Sequence, residues 1–142
     1  SEVIGLLGNP WEGNCNQIIK LIKNLMANRP NEDCHIACQQ LGGLTTKPNR
    51  LTTSFIHRKA MWKPWITTSW KSEDEDERQK SLIWLKESCD ALSTHCPGIH
   101  LAQMHQHLPW HHIETEKAFE EWLPGLQSLK SQYDPHGILP RL

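Results

Sequence analysis

Apolar residues in this chain recur at two different periods, and the switches between them divide it into elements. Glu2 to Leu7 is a short apolar run stopped by Gly8-Asn9-Pro10, the pattern of a buried strand. From Asn14 to Ala27 the period lengthens: Ile18, Leu21, Ile22, Leu25 and Met26 form one helical stripe, with Asn14 and Gln17 placed to cap its start. Arg29-Pro30-Asn31 breaks that helix, and Cys34 to Leu41 reads as a second strand ending at Gly42-Gly43, where two glycines allow a bulge or close approach. Turn chemistry follows at Lys47-Pro48-Asn49. Ala60 to Lys71 carries Trp62, Trp65, Ile66, Thr67, Thr68 and Trp70, aromatic and β-branched residues that suit a pleated strand, with Pro64 marking an edge or a bulge.

Glu73 to Thr94 places Leu82, Leu85, Cys89 and Leu92 on one side of a long helix, and Ser72 with Glu75 forms a capping box at its start. The acidic run Glu73 to Glu77 then belongs to the positive end of a helix dipole. Alternation over Ile99 to Leu108 predicts a further strand, with Ile99, Leu101, Gln103, His105 and His107 on one face. Two helical pieces complete the pattern, Thr115 to Leu123 and Pro124 to Gln132; the second ends before Tyr133-Asp134-Pro135, because the residue before a proline is pushed out of helical geometry. Tyr133 is expected to pack with Leu126 and Leu129, and Asp134 to bond the turn. The order strand, helix, strand, strand, helix, strand, helix predicts an α+β fold: an antiparallel sheet with helices packed on one face and the other face open.

Pleat parity then assigns residues to the two faces. Ile36 and Cys38 are the natural inward residues of the second strand, which turns Gln39 to the opposite side. In the strand closing on Trp70, the set Trp62, Ile66, Thr68 and Trp70 suits helix packing and leaves Lys63, Trp65 and Thr67 facing away.

Bulk properties narrow the function classes. At 142 residues the chain suits one domain, residues 1–142, with roughly two thirds of its unfolded surface buried. Lys and Arg number 15 against 16 Asp and Glu, so no global field favours nucleic acid or a charged membrane surface. No segment approaches the roughly 18 apolar residues of a membrane span. The start at Ser1-Glu2-Val3, with no basic leader, suggests a cut piece or a processed product. Five cysteines show no metal-ligand spacing; Cys34 and Cys38 are about 13 Å apart along a strand, too far to share an ion.

His105 and His107 would share a strand face and could contribute two imidazoles to one ion, yet spacing supplies no third ligand, so they are expected to line a pocket and no metal is assigned. No serine elbow, cysteine–histidine signature or phosphate-cradling glycine loop is present.

Taken in order, Gly42-Gly43, the run Phe55-Ile56-His57-Arg58, the segment closing on Trp70, and the helix ending at Tyr133-Asp134-Pro135 before Ile138-Leu139 resemble the C-terminal third of FAD-linked oxidases of the vanillyl-alcohol oxidase superfamily, in the berberine-bridge-enzyme-like and cytokinin-dehydrogenase-like branches. The likeness runs from Gln39 to Leu139. It implies a substrate-binding domain whose open sheet face roofs the flavin ring, with FAD held mainly by a partner domain or subunit not in this chain and a small organic substrate between them. It implies substrate-binding roles for Gln39, Trp65, Thr67, Gln103, His105 and His107.

Relatives often hold a carboxylate where Gln39 stands and an Asn-Tyr pair where Trp122 and Leu123 stand, so the resemblance leaves the catalytic base unassigned, with His105 or His107 as candidates. The chain alone is expected to be inactive. The alternative is a non-catalytic α+β binding or interaction module, with a His-lined metal site as one variant of it.

Overall fold

In a computed structural model, residues 1–47 and 55–139 are described. They fall into two compact units, Ser1–Gln103 and Met104–Leu142. The first holds strand β1 (Glu2–Leu7), helix α1 (Cys15–Ala27), strands β2 (His35–Gln40) and β3 (Trp62–Thr68), helix α2 (Glu75–Leu92) and a two-residue strand β4 (Gly98–Ile99). The second holds helices α3 (His111–Phe119) and α4 (Leu123–Tyr133). The turn expected at Lys47-Pro48-Asn49 lies, from Pro48 on, outside the described residues.

The four strands form one sheet in the order β2-β3-β1-β4, antiparallel at every pairing. The expected α+β architecture is therefore present. Register fixes the two faces. Ile4 pairs with Ile66 and Ile66 with Ile36, so these point together, and Ile4, Leu6, Ile66 and Thr68 are fully buried on the side that meets the helices. Each fully buried Ile or Leu contributes about 1.5–3 kcal/mol of transfer free energy. Gly5 pairs with Trp65, Trp65 with Ala37, and Lys63 with Gln39, which sends Trp65, Lys63 and Gln39 to the opposite face.

The helices lock to the sheet through polar contacts as well as apolar ones. The Trp84 indole N–H donates to the carbonyl of Leu25 at 2.9 Å, tying α2 to α1. Asn31 donates to the Ser69 carbonyl at 2.9 Å and to Glu77 at 2.8 Å, so the loop after α1, the end of β3 and the start of α2 share one node. Along α2 the buried residues Ser81, Trp84, Leu85, Ser88, Cys89 and Leu92 recur at helical spacing.

Several expectations are corrected. The cap of α2 is Asp74, whose carboxylate accepts from the Glu77 N–H at 2.8 Å, and Ser72 stands two residues outside it. Asn14 sits at the start of α1 but makes no side-chain cap bond. Cys38 is exposed although it shares the inward parity of Ile36, because β2 is an edge strand, covered less completely than the inner strands. Tyr133, expected to pack, is 77% exposed.

The largest departure is the strand expected over Ile99 to Leu108. Pairing stops at Ile99, and the chain turns into a 3-10 helix over Leu101–Gln103. The His100 N–H still donates to the Gly5 carbonyl at 2.7 Å, but the Gln103 side chain then folds over Gly5, where a Cβ would lie 2.1 Å from its Oε1. Leu101, Ala102 and Met104 are interspersed with Gln and His, so neither pleat face offers a continuous apolar row to extend the ladder.

Candidate functional site

The face turned away from the helices is partly covered. Phe55 to Ala60 and the Leu101–Gln103 turn lie along it, leaving a pocket of about 340 Å³ lined by Leu7, Gln39, Leu41, Phe55, Lys63 and His100, among others. Its position follows from local sequence. β1 contributes Gly5 and Leu7 to this side, β3 contributes Lys63, Trp65 and Thr67, and β2 contributes Gln39. Gly5 matters through its missing side chain: a Cβ there would come within 2.8 Å of Lys63 Cε as well as striking Gln103.

Lys63 is the unusual group. It is only 5% exposed, yet among the described residues its ammonium has no carboxylate partner. Its contact is the Trp65 ring, with Nζ 4.0 Å from the ring centroid. A desolvated cation–π contact of this kind is worth about 2 kcal/mol, whereas the penalty for burying an ion is several kcal/mol, so the aromatic ring offsets only part of the cost. Burial accordingly pushes the Lys63 ammonium below its ordinary pKa. His100 beside it is also held below the usual imidazole range, first by burial and then by the Lys63 charge, with Gln103 pulling weakly the other way.

Other polar atoms on the same side lack partners. The Trp65 indole N–H, His100 Nδ1 and Gln103 Oε1 are buried without a hydrogen-bond partner among the described residues. Buried polar groups are normally satisfied, so these three atoms beside Lys63 carry unused hydrogen-bonding capacity on this face. A larger cavity of about 470 Å³, among Pro10, Trp11, Cys38, Met61 and Trp62, has no buried charge on its walls.

The residues expected to bind substrate separate into two groups. Gln39, Trp65 and Thr67 share the face away from the helices, and Gln103 joins them there by folding over Gly5. His105 and His107 do not project from a strand with Gln103; they belong to the second unit, in the irregular segment before α3. His105 is 5% exposed, and its ring Nδ1 donates to Glu114 at 2.8 Å while its backbone N–H donates to the other carboxylate oxygen at 2.8 Å.

Burial works against the charged form of Glu114, but the bonds from His105 and the nearby His111 outweigh it and hold the carboxyl below its usual range. His105 thus anchors its own loop to α3. Among the described residues no group of three or more His, Cys, Asp or Glu is placed to hold a metal ion.

Lys63 lies on the face that pleat parity assigns to it, whereas parity along Ile99 to Leu108 puts His100 on the side opposite to Gln103, His105 and His107. The signal for Lys63 was a single charge inside an aromatic strand, between Trp62 and Trp65. Its isolation from any carboxylate is a tertiary fact. Trp122 and Leu123, where relatives of the resembled family often carry an Asn-Tyr pair, are half-buried at the start of α4 and supply no proton-transfer group.

No protein-family model and no curated protein sequence matches the chain. Solved structures do. The wild-type form of "Physcomitrella patens BBE-like 1" superposes with a TM-score of 0.79 over 98% of this chain, at 15% sequence identity, and a variant of that protein matches to the same extent. The chain spans 29% of the length of those solved chains.

Proposed function

We propose, from a fold shared with BBE-like structures, that this chain is the substrate-side domain of an FAD-linked oxidoreductase, acting with a flavin-binding domain that is a partner or another part of one polypeptide. The observation that supports this reading is the sheet face turned from the helices, which carries Gln39, Trp65 and Thr67 and a pocket lined by Gln39 and the buried Lys63, whose ammonium lies over Trp65. In berberine-bridge-enzyme-like oxidases, which the sequence resembles, a face of this kind roofs the flavin and holds the substrate.

The residues fit one side of that cofactor. Trp65 and Thr67 offer a flat, partly exposed surface, and Gln39 an amide, suited to a planar ring and its polar edge. The glycine pair does not suit the phosphates: Gly42 and Gly43 have positive φ, but they lead into a 3-10 turn of four residues, Gly43–Thr46, too short to present a row of aligned amides. The phosphates therefore belong to the partner domain. When bound, the flavin would accept a hydride at N5 from the organic substrate; this chain's part is to bind, orient and exclude water.

Gln39 can fix a substrate hydroxyl or carbonyl by hydrogen bonding but cannot take its proton. Lys63, held below its ordinary pKa by burial, can stabilise developing negative charge on a substrate oxygen beside Trp65. Glutamine at position 39, where relatives often hold a carboxylate, favours a second reading, a scaffold that binds substrate without oxidising it.

A chimera tests both. In it the chain replaces the matched segment of the Physcomitrella patens BBE-like 1 protein. A yellow product carrying stoichiometric flavin is the expected outcome, and a folded but colourless product would overturn the reading. If the flavin is bound but no substrate panel bleaches it anaerobically, the binding scaffold is the function.

A further inference from the structure

We propose that the pocket beside Lys63 is a receptor for the carboxylate of an organic acid with an apolar body. The inference deepens the oxidase reading by naming the substrate class of the same face. Three observations on this chain carry it. Lys63 is 5% exposed, with a Trp65 ring 4.0 Å from its Nζ and no acceptor for its N–H groups among the described residues. The described lining of the pocket contains no Asp or Glu, while Lys63 and Arg58 both contribute to it. A buried ammonium in a pocket without carboxylates is an electrostatic socket for an anion.

The remaining wall is mostly apolar, made by Leu7, Leu41, Phe55 and Ala60, with Gln39 and Thr45 as its neutral polar members. That lining selects against a bare phosphate or pyrophosphate, whose oxygens need donors on all sides, and suits a planar carboxylate joined to a ring or short hydrocarbon. Gly5 lets Lys63 lie flat against the sheet, because a Cβ there would come within 2.8 Å of Lys63 Cε and 2.1 Å of Gln103 Oε1. Trp65 then acts as a positioning residue: its ring face fixes the ammonium at the pocket wall.

The experiment is calorimetric titration of the intact chain with benzoate, its neutral isostere benzamide, and pyrophosphate. Benzoate is expected to bind at least about tenfold more tightly than benzamide. Lys63→Met should abolish that preference, and Lys63→Arg should retain most of it. Equal binding of benzoate and benzamide by the wild-type chain would overturn the proposal, and so would undiminished benzoate preference in a Lys63→Met variant with native near-ultraviolet circular dichroism.

If Lys63→Met does not fold, the wild-type preference and its retention in Lys63→Arg decide. Pyrophosphate binding more tightly than benzoate would overturn the ligand class. No flavin is needed for this titration, so it separates from the chimera test. A colourless chimera with a benzoate-selective chain leaves the anion site standing and removes the oxidase reading; a yellow chimera with no benzoate preference does the reverse.

Discussion

Lys63 sits where a strand residue on this sheet face would ordinarily be apolar or exposed, and it is neither. Burial holds its folded-state pKa below the ordinary lysine value of 10.5, so at neutral pH the native protein carries a cation that the unfolded chain hydrates better. The folded state sheds this proton first as pH rises, so the penalty is full at neutral pH and shrinks through the alkaline window up to 10.5. Lys63→Met should therefore unfold at higher urea than wild type at pH 7, by about 1 kcal/mol or more, and the gap should narrow as pH approaches 10.5. Urea titrations at several pH values check this; a gap that widens with pH would contradict the desolvation account. Asp134 illustrates the opposite case, a residue whose role was legible in sequence. Its carboxylate accepts from Lys130 and from the N–H groups of Ile138 and Leu139, closing the turn that the Asp-Pro pair announces.

At the level of elements, register and capping carry the fold. β1 was recognisable from six residues because its apolar run is bounded by Gly8-Asn9-Pro10, and β3 because aromatic and β-branched residues crowd it. The α2 cap was misplaced by two residues: Ser72, Asp74 and Glu75 all offer capping chemistry, and only the loop anchored by Asn31 and Glu77 decides among them. Glu77 accepts both from Asn31 and from the Lys71 N–H, which draws the chain so that Asp74 meets the first turn. Asp74→Ala is expected to lower stability by about 1 kcal/mol, whereas Ser72→Ala should change it by less than about 0.5 kcal/mol. Denaturant midpoints of the two variants measure the difference, and equal losses would mean that the cap is shared.

For the molecule as a whole, the division of labour proposed here expects the isolated chain to bind FAD weakly or not at all. Fluorescence titration with FAD checks it: tight one-to-one quenching would require a phosphate site that Gly42 and Gly43, leading into a four-residue 3-10 turn, do not form. The sequence by itself determined the α+β class, the boundaries of β1 and α1, and the face on which Gln39, Trp65 and Thr67 lie, because period-2 and period-3.6 patterns are local and a strand's parity follows from its apolar set. Tertiary structure alone decided the rest. It ended the histidine-rich strand at Ile99, bound His105 to Glu114 across nine residues, and brought Gly5, Lys63 and Gln103 together from three separate segments. Those outcomes depend on which partner a polar group finds at long range, and on whether a buried charge finds any. Spacing along the chain carries no record of either.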